Sequence, residues 1–125
     1  GPMRIEIRGR NVEVTDELRE QVTQRFERLG EQVSSLARIE VVVSEEQNPA
    51  IVNKYVAEAT LHVKGVTLHA HEATPEMMHT IHELAEDMRR QVKRHREKRR
   101  KRSQTRKLVH QLQGRHEPGG AQPGL

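Results

Sequence analysis

Residues 55–70 read YVAEATLHVKGVTLHA and predict a β-hairpin. Apolar and polar side chains alternate on both sides of Lys64-Gly65, which places every second side chain on one face of an extended strand. A pair containing glycine between two such segments is typical of a two-residue turn. The stretch therefore predicts two adjacent antiparallel strands with one face on a core and the other in solvent.

Two further strands and a helix are predicted before the hairpin. Residues 4–8, RIEIR, alternate like a short strand, and residues 38–44, RIEVVVS, form the β-branched run of a well-buried one. Between them, Thr15 is followed by two acidic residues, as at a helix N-terminus. The helix predicted from there has one apolar stripe: Leu18, Val22, Phe26 and Leu29.

A second, longer helix is predicted from Thr74, where Pro75 and Glu76 complete the pattern of a helix start. Its apolar stripe consists of five residues: Met77, Ile81, Leu84, Met88 and Val92. Residues 94–107 continue with strong helix formers but no apolar stripe, so we expect a solvated basic rod that projects from the domain. From Gly114 the sequence is rich in glycine and proline, which predicts a disordered tail.

The order of these elements, β-α-β-β-β-α, predicts an α+β fold. A four-stranded mixed sheet carries both helices on one face and leaves the other open, with strands one and two parallel. The 125 residues, 33% of them hydrophobic, suffice for a single domain with one core. We expect residues 1–2 to be the remnant of a cleaved tag, 3–107 the domain with its basic helical extension, and 108–125 a linker or disordered tail.

Charge is segregated along the chain. Residues 88–107 contain twelve lysines and arginines and one acidic residue, Glu97, for a net charge of +11, whereas the remaining ten basic and seventeen acidic residues sum to −7. Such asymmetry is typical of proteins that bind polyanions, because each neutralised phosphate releases counterions. A merely solubilising run is the alternative. A helix bound to a membrane surface is disfavoured, because it needs an apolar face opposite its charges.

The composition argues against several other classes of protein. Cysteine is absent, and no apolar run approaches the roughly 20 residues that cross a membrane, so we expect a soluble cytoplasmic protein. Eight histidines, including His69 and His71 on one strand face, lack the partners and spacing of a metal site. No nucleophile elbow or glycine-rich phosphate loop occurs either, so we expect no catalytic residue, no metal, no cofactor and no small-molecule substrate.

The scarcity of aromatic residues narrows the mode of RNA recognition. Phe26 and Tyr55 are the only two aromatic residues, and Phe26 belongs to a core stripe. Proteins that read single strands stack bases on aromatic side chains. The sequence therefore favours recognition of structured RNA by shape and phosphate contact, as in double-stranded RNA-binding domains.

Three segments resemble the ribosome hibernation-promoting factor family, also called ribosome-associated inhibitor A or sigma-54 modulation proteins. They are residues 9–20, GRNVEVTDELRE; residues 55–65, YVAEATLHVKG; and residues 73–98, ATPEMMHTIHELAEDMRRQVKRHREK. The resemblance implies a fold similar to double-stranded RNA-binding domains. It also implies binding to ribosomal RNA of the small ribosomal subunit at the decoding region, where messenger and transfer RNA sit, and inhibition of translation under stress or in stationary phase.

Long members of that family carry a further C-terminal domain that joins two ribosomes. The sequence here ends in what resembles the linker to such a domain, and we expect it to block decoding without dimerising ribosomes. The main alternative is a transcription modulator that binds nucleic acid or a sigma factor.

The resemblance and the basic run together give the candidate RNA-binding residues. By position, five on the second helix are implied: Arg89, Arg90, Lys93, Arg94 and Arg96. The basic run continues through five more: Lys98, Arg99, Arg100, Lys101 and Arg102. Weaker candidates are Arg8, Arg10, Arg25 and Arg28. At the helix start the family usually has Asp-Met-Tyr-Ala-Ala-Ile-Asp, whereas residues 76–82 read EMMHTIH, which lacks the tyrosine and the second aspartate.

Overall fold

A computed structural model describes residues 3–116 of the chain, with side chains described for residues 3–113. The elements in chain order are β1 (Arg4–Arg10), α1 (Asp16–Gly30), β2 (Arg38–Glu45), β3 (Tyr55–Val63), β4 (Val66–Thr74) and α2 (Met77–His116). This order confirms the predicted α+β class. The chain divides after Val92 into two compact units, so that α2 contributes residues to both.

The four strands form one mixed sheet in the order β1-β2-β3-β4. Strand β1 pairs parallel with β2, and both β2 with β3 and β3 with β4 pair antiparallel, as predicted. The hairpin closes where Val63 pairs with Val66. Gly65 has a φ of 82°, a conformation that favours glycine and explains its place in this turn.

The core of the first unit lies on one face of the sheet, between the strands and both helices. The fully buried strand residues alternate with more exposed ones: Ile39, Val41, Val43, Ala57, Ala59 and Leu61. Helix α1 buries the predicted stripe of Leu18, Val22, Phe26 and Leu29, and α2 buries Ile81, Leu84, Met88 and Val92. Because these side chains form one cluster, both helices cover the same face and the other face stays open.

The helix caps show one correct and one wrong prediction. Thr15 is the N-cap of α1, and its hydroxyl accepts a hydrogen bond of 3.1 Å from the Leu18 N–H. Helix α2, however, begins at Met77 rather than at Thr74. Thr74 instead ends β4, where it pairs with Tyr55, and the first helical bond runs from the Thr80 N–H to the Glu76 carbonyl.

Strand β1 is longer than predicted, because Gly9 and Arg10 continue its pairing with β2. A Cβ atom at Gly9 would press on the carbonyl oxygen of Val12 and lie 2.9 Å from Cγ2 of Val14. The chain folds back closely here, helped by Asn11, whose φ is 58°. Only glycine leaves room for this return.

In the second unit, the described residues form the helical continuation from Lys93 to His116. The side chains from Lys98 to Gln113 are all exposed. Residues 108–116 are therefore helical, although they belong to the segment predicted as a linker or tail. Residues 1–2 and 117–125 lie outside the described residues, and the predicted domain boundaries stay a prediction.

Candidate nucleic-acid interface

An arginine-rich groove lies between α1 and α2 in the first unit. It has a volume of about 390 Å³ and is lined mainly by polar residues: Arg25, Arg28, Glu31, Gln32, Glu86 and Arg89. Arg25 and Arg28 each precede a buried stripe residue, Phe26 and Leu29, so packing of the stripe aims them towards the neighbouring helix. The fold thus brings together three predicted site residues that are far apart in sequence.

Arg25 is the most constrained cation of this groove. Its Nη1 lies 3.0 Å from Nδ1 of His82 on α2. Its Nε is buried and has no hydrogen-bond partner among the described residues. His82 was not among the predicted site residues.

Arg89 forms an ion pair with Glu86 one turn earlier on α2. The hydrogen bond from Arg89, followed by its charge and those of His82 and Arg90, lowers the pKa of Glu86 against the opposing effect of burial. Glu86 is therefore ionised at neutral pH and offsets one of the positive charges in the groove.

Arg90 points towards a different neighbourhood, where β4 faces α2. Burial, followed by the charge and hydrogen bond of Asp87 and the charge of Glu83, raises the pKa of Glu72, and Arg90 partly opposes this rise. Arg89 and Arg90 are adjacent in sequence but belong to surroundings of opposite charge. An RNA backbone is favoured on the arginine side and repelled by the carboxyl groups.

Arg8 and Arg10 lie on the open face of the sheet, because Ile7 between them in the strand alternation faces the core. Arg10 pairs with Glu58 on β3 at 3.3 Å. Within residues 3–113, Arg8 makes no ion pair. These two candidates are therefore separated by the sheet from Arg25 and Arg28.

The second unit presents its positive charges all around a helix. Eight predicted site residues have exposed side chains: Lys93, Arg94, Arg96, Lys98, Arg99, Arg100, Lys101 and Arg102. At about 100° per residue these positions point in every direction about the axis. Desolvation, followed by the charges of Arg99, Arg102 and Lys98, lowers the pKa of His95, so its ring is neutral at neutral pH.

The histidines of the open sheet face make polar contacts rather than a metal cluster. His62 lies 3.4 Å from Glu40, and His69 lies 3.3 Å from the Thr60 hydroxyl. Across residues 3–116, no three histidine, cysteine or acidic side chains are arranged to hold a metal ion. In the same part of the chain, no helix combines the length and apolar character needed to span a membrane.

Comparison with known proteins yields one consistent family. The chain is 34% identical over 96 residues to the ribosome hibernation promoting factor of Salmonella typhimurium, covering 77% of this chain and 96% of that protein. It is 26% identical over 97 residues to the ribosome hibernation promotion factor of Picosynechococcus, of which it covers 50%.

Among solved structures, the N-terminal domain of Protein Y from Thermus thermophilus matches with a TM-score of 0.65 and 27% identity, over 74% of this chain and 98% of that domain. This likeness confirms the fold of the first unit. Residues 5–100 match the family described as sigma 54 modulation protein / S30EA ribosomal protein. Since the match extends over most of the sequence, the chain belongs to this family.

Proposed function

We propose that this protein is a ribosome hibernation factor that binds ribosomal RNA of the small ribosomal subunit at the decoding region and inhibits translation under stress or in stationary phase. The names of its relatives support a role in ribosome hibernation. The proposal places its action in the bacterial cytoplasm and assigns it no catalytic step.

The exposed cations of α2 are the observation that carries the proposal. In the second unit the eight basic side chains surround the helix, and Glu97 is the one acidic residue between Lys93 and Gln113. A rod with this charge contacts phosphates on more than one side, as a helix inserted among folded RNA strands requires. A flat membrane or a single duplex face would leave half of these cations unused.

The groove of the first unit supplies a second set of phosphate contacts. Arg25, Arg28 and Arg89 present guanidinium groups, whose planar donors match phosphate oxygens. Neither set involves an aromatic platform, so recognition depends on the shape and phosphates of structured RNA. This mode suits ribosomal RNA better than a single-stranded transcript.

Binding to purified ribosomal subunits tests the proposal. The full chain is sedimented with small or large subunits at physiological ionic strength, in the presence and absence of excess duplex DNA. We expect co-sedimentation with small subunits that survives the DNA, and inhibition of translation in a reconstituted system. Equal displacement by duplex DNA would favour the alternative of a transcription modulator, and no binding to small subunits would contradict the proposal.

The effect on ribosome pairing is a separate part of the proposal. We infer that residues 3–116 occupy the decoding region without joining two ribosomes, and that dimerisation requires a further C-terminal domain. The Picosynechococcus relative, of which the chain covers half, is compatible with such an addition. Paired ribosomes in sucrose gradients run with this chain alone would refute the inference.

A further inference from the structure

The contact between Arg25 and His82 fixes the protonation state of His82. A guanidinium has only donors, so Nδ1 of His82, 3.0 Å from Nη1 of Arg25, acts as the acceptor. An imidazole accepts a hydrogen bond at Nδ1 only when it is neutral and carries its proton on Nε2. The observed contact therefore belongs to the neutral form of His82.

We propose that His82 is a phosphate-contacting residue of the groove between α1 and α2, and that it takes up a proton when RNA binds there. This inference rests on the proposed function and concerns the same groove. A protonated ring has two N–H donors and no acceptor, so it releases Arg25. A phosphate oxygen then accepts from Arg25 and from His82 together.

Arg25 is prepared for such a ligand, because its buried Nε has no partner among the described residues. A buried donor without a partner costs free energy, which a phosphate oxygen in the groove would recover. The phosphate thus satisfies two groups at once: the unpaired Nε of Arg25 and the new N–H of His82.

The charges around His82 show why protonation awaits the ligand. From α1, Arg25 faces the ring and disfavours a second positive charge. From α2, Glu86 lies one turn further on and favours it, and His79 lies one turn before. Glu86 is already neutralised in part by Arg89, so a phosphate adds the negative charge that shifts the balance.

The net charge of the groove is small enough for one proton to matter. Its ionised lining residues are three arginines and two glutamates, Glu31 and Glu86. One added proton therefore changes the net charge of the lining from +1 to +2. Histidine is the side chain that makes this change near neutral pH.

The test is the affinity of the full chain for small ribosomal subunits between pH 6 and pH 8 at constant ionic strength. For the unmodified protein we expect affinity to rise on the order of tenfold towards pH 6, within the limit of tenfold per pH unit that one linked proton allows. His82→Gln retains an acceptor for Arg25 but cannot gain a proton. We expect this variant to lose the pH dependence and to keep the affinity seen at pH 8.

His79→Gln is the matched control, because His79 is exposed on the same helix one turn away. It should retain the pH dependence of the unmodified protein. Calorimetric titration in two buffers of different ionisation enthalpy counts the protons directly, and His82→Gln should take up about one fewer on binding.

The outcomes separate the two proposals. Binding that does not depend on pH, or a dependence that survives His82→Gln, overturns the inference and leaves the proposed function intact. Absence of binding at every pH overturns the proposed function and the inference with it.

Discussion

The hydroxyl of Thr80 on α2 donates a hydrogen bond of 2.8 Å to the backbone carbonyl of Tyr55 on β3. The same oxygen lies 2.7 Å from the hydroxyl of Thr74, the last residue of β4. Thr80 is completely buried. One threonine side chain thus connects the first turn of α2 with two strands, and it positions the helix that carries most of the candidate cations.

We expect Thr80→Val to destabilise the domain by about 1–3 kcal/mol, the range for leaving buried polar groups without partners. Valine has nearly the shape of threonine, so the loss reflects the missing hydroxyl rather than a cavity. Urea denaturation measures it as a lower free energy of unfolding. The control is Thr67→Val, at an exposed position of β4, where a change within about 0.5 kcal/mol is expected. Equal losses in both variants would remove the special role of Thr80.

Glu72→Gln should stabilise the protein at neutral pH. Burial, followed by the charge of Asp87, raises the pKa of Glu72 above its ordinary value, so the folded state disfavours the ionised carboxylate. The wild-type carboxyl therefore favours folding below its unfolded pKa, and this contribution is lost as pH rises through the folded pKa. Glutamine carries no charge and escapes that loss.

The expected gain is about 0.2–0.5 kcal/mol at pH 7, the size of like-charge repulsion between neighbouring side chains. It should shrink as the pH falls below the raised pKa, where Glu72 is protonated. Unfolding in urea at several pH values measures both effects, and Glu27→Gln on the exposed side of α1 is the control. A gain that stays constant down to pH 3 would contradict this account.

The fold was predictable from local patterns where those patterns act alone. The hairpin followed from alternation around Lys64-Gly65, and α1 from the Thr15 cap and one apolar stripe. The start of α2 was wrong because Thr74-Pro75-Glu76 satisfies the local rules for a helix start. Pairing of Thr74 with Tyr55 across the sheet overrides those rules, and that pairing is not visible in a local window.

The candidate site was predictable in its charge but not in its arrangement. The run of cations on α2 is evident in the sequence, and so is its exposure. Nothing in the sequence separates Arg8 and Arg10 from Arg25 and Arg28, because only the assembled sheet decides which face each pair occupies. The role of His82 was missed since its partner Arg25 lies 57 residues away. The one available signal was the histidine where the resembling family usually has aspartate.

Replacing Lys93, Arg94 and Arg96 by alanine should weaken binding to small subunits and flatten its salt dependence. Each lost phosphate contact lowers the slope of log affinity against log salt by about one unit. Titrations at several salt concentrations measure this slope. A variant with alanine at Arg19, Lys54 and Lys64 removes the same charge outside the candidate set. An unchanged slope in the first variant, or equal changes in both, would refute a specific role for these three cations.

The two arginine pairs on opposite sides of the sheet give a test of which face binds RNA. Replacement of Arg25 and Arg28 by alanine removes two guanidinium groups from the groove. Charge-assisted hydrogen bonds contribute about 1.5–3 kcal/mol each, so affinity for small subunits should fall by at least about tenfold. Replacement of Arg8 and Arg10 is the charge-matched counterpart on the open face.

For the Arg8 and Arg10 variant we expect a loss below about threefold, because Glu58 already neutralises Arg10 and one RNA surface does not reach both sides of a sheet. Filter-binding titrations of both variants at one salt concentration decide the matter, with urea unfolding to confirm that each remains folded. Comparable losses would mean that RNA contacts both faces, and the first unit would then be bound in a cleft rather than against a single surface.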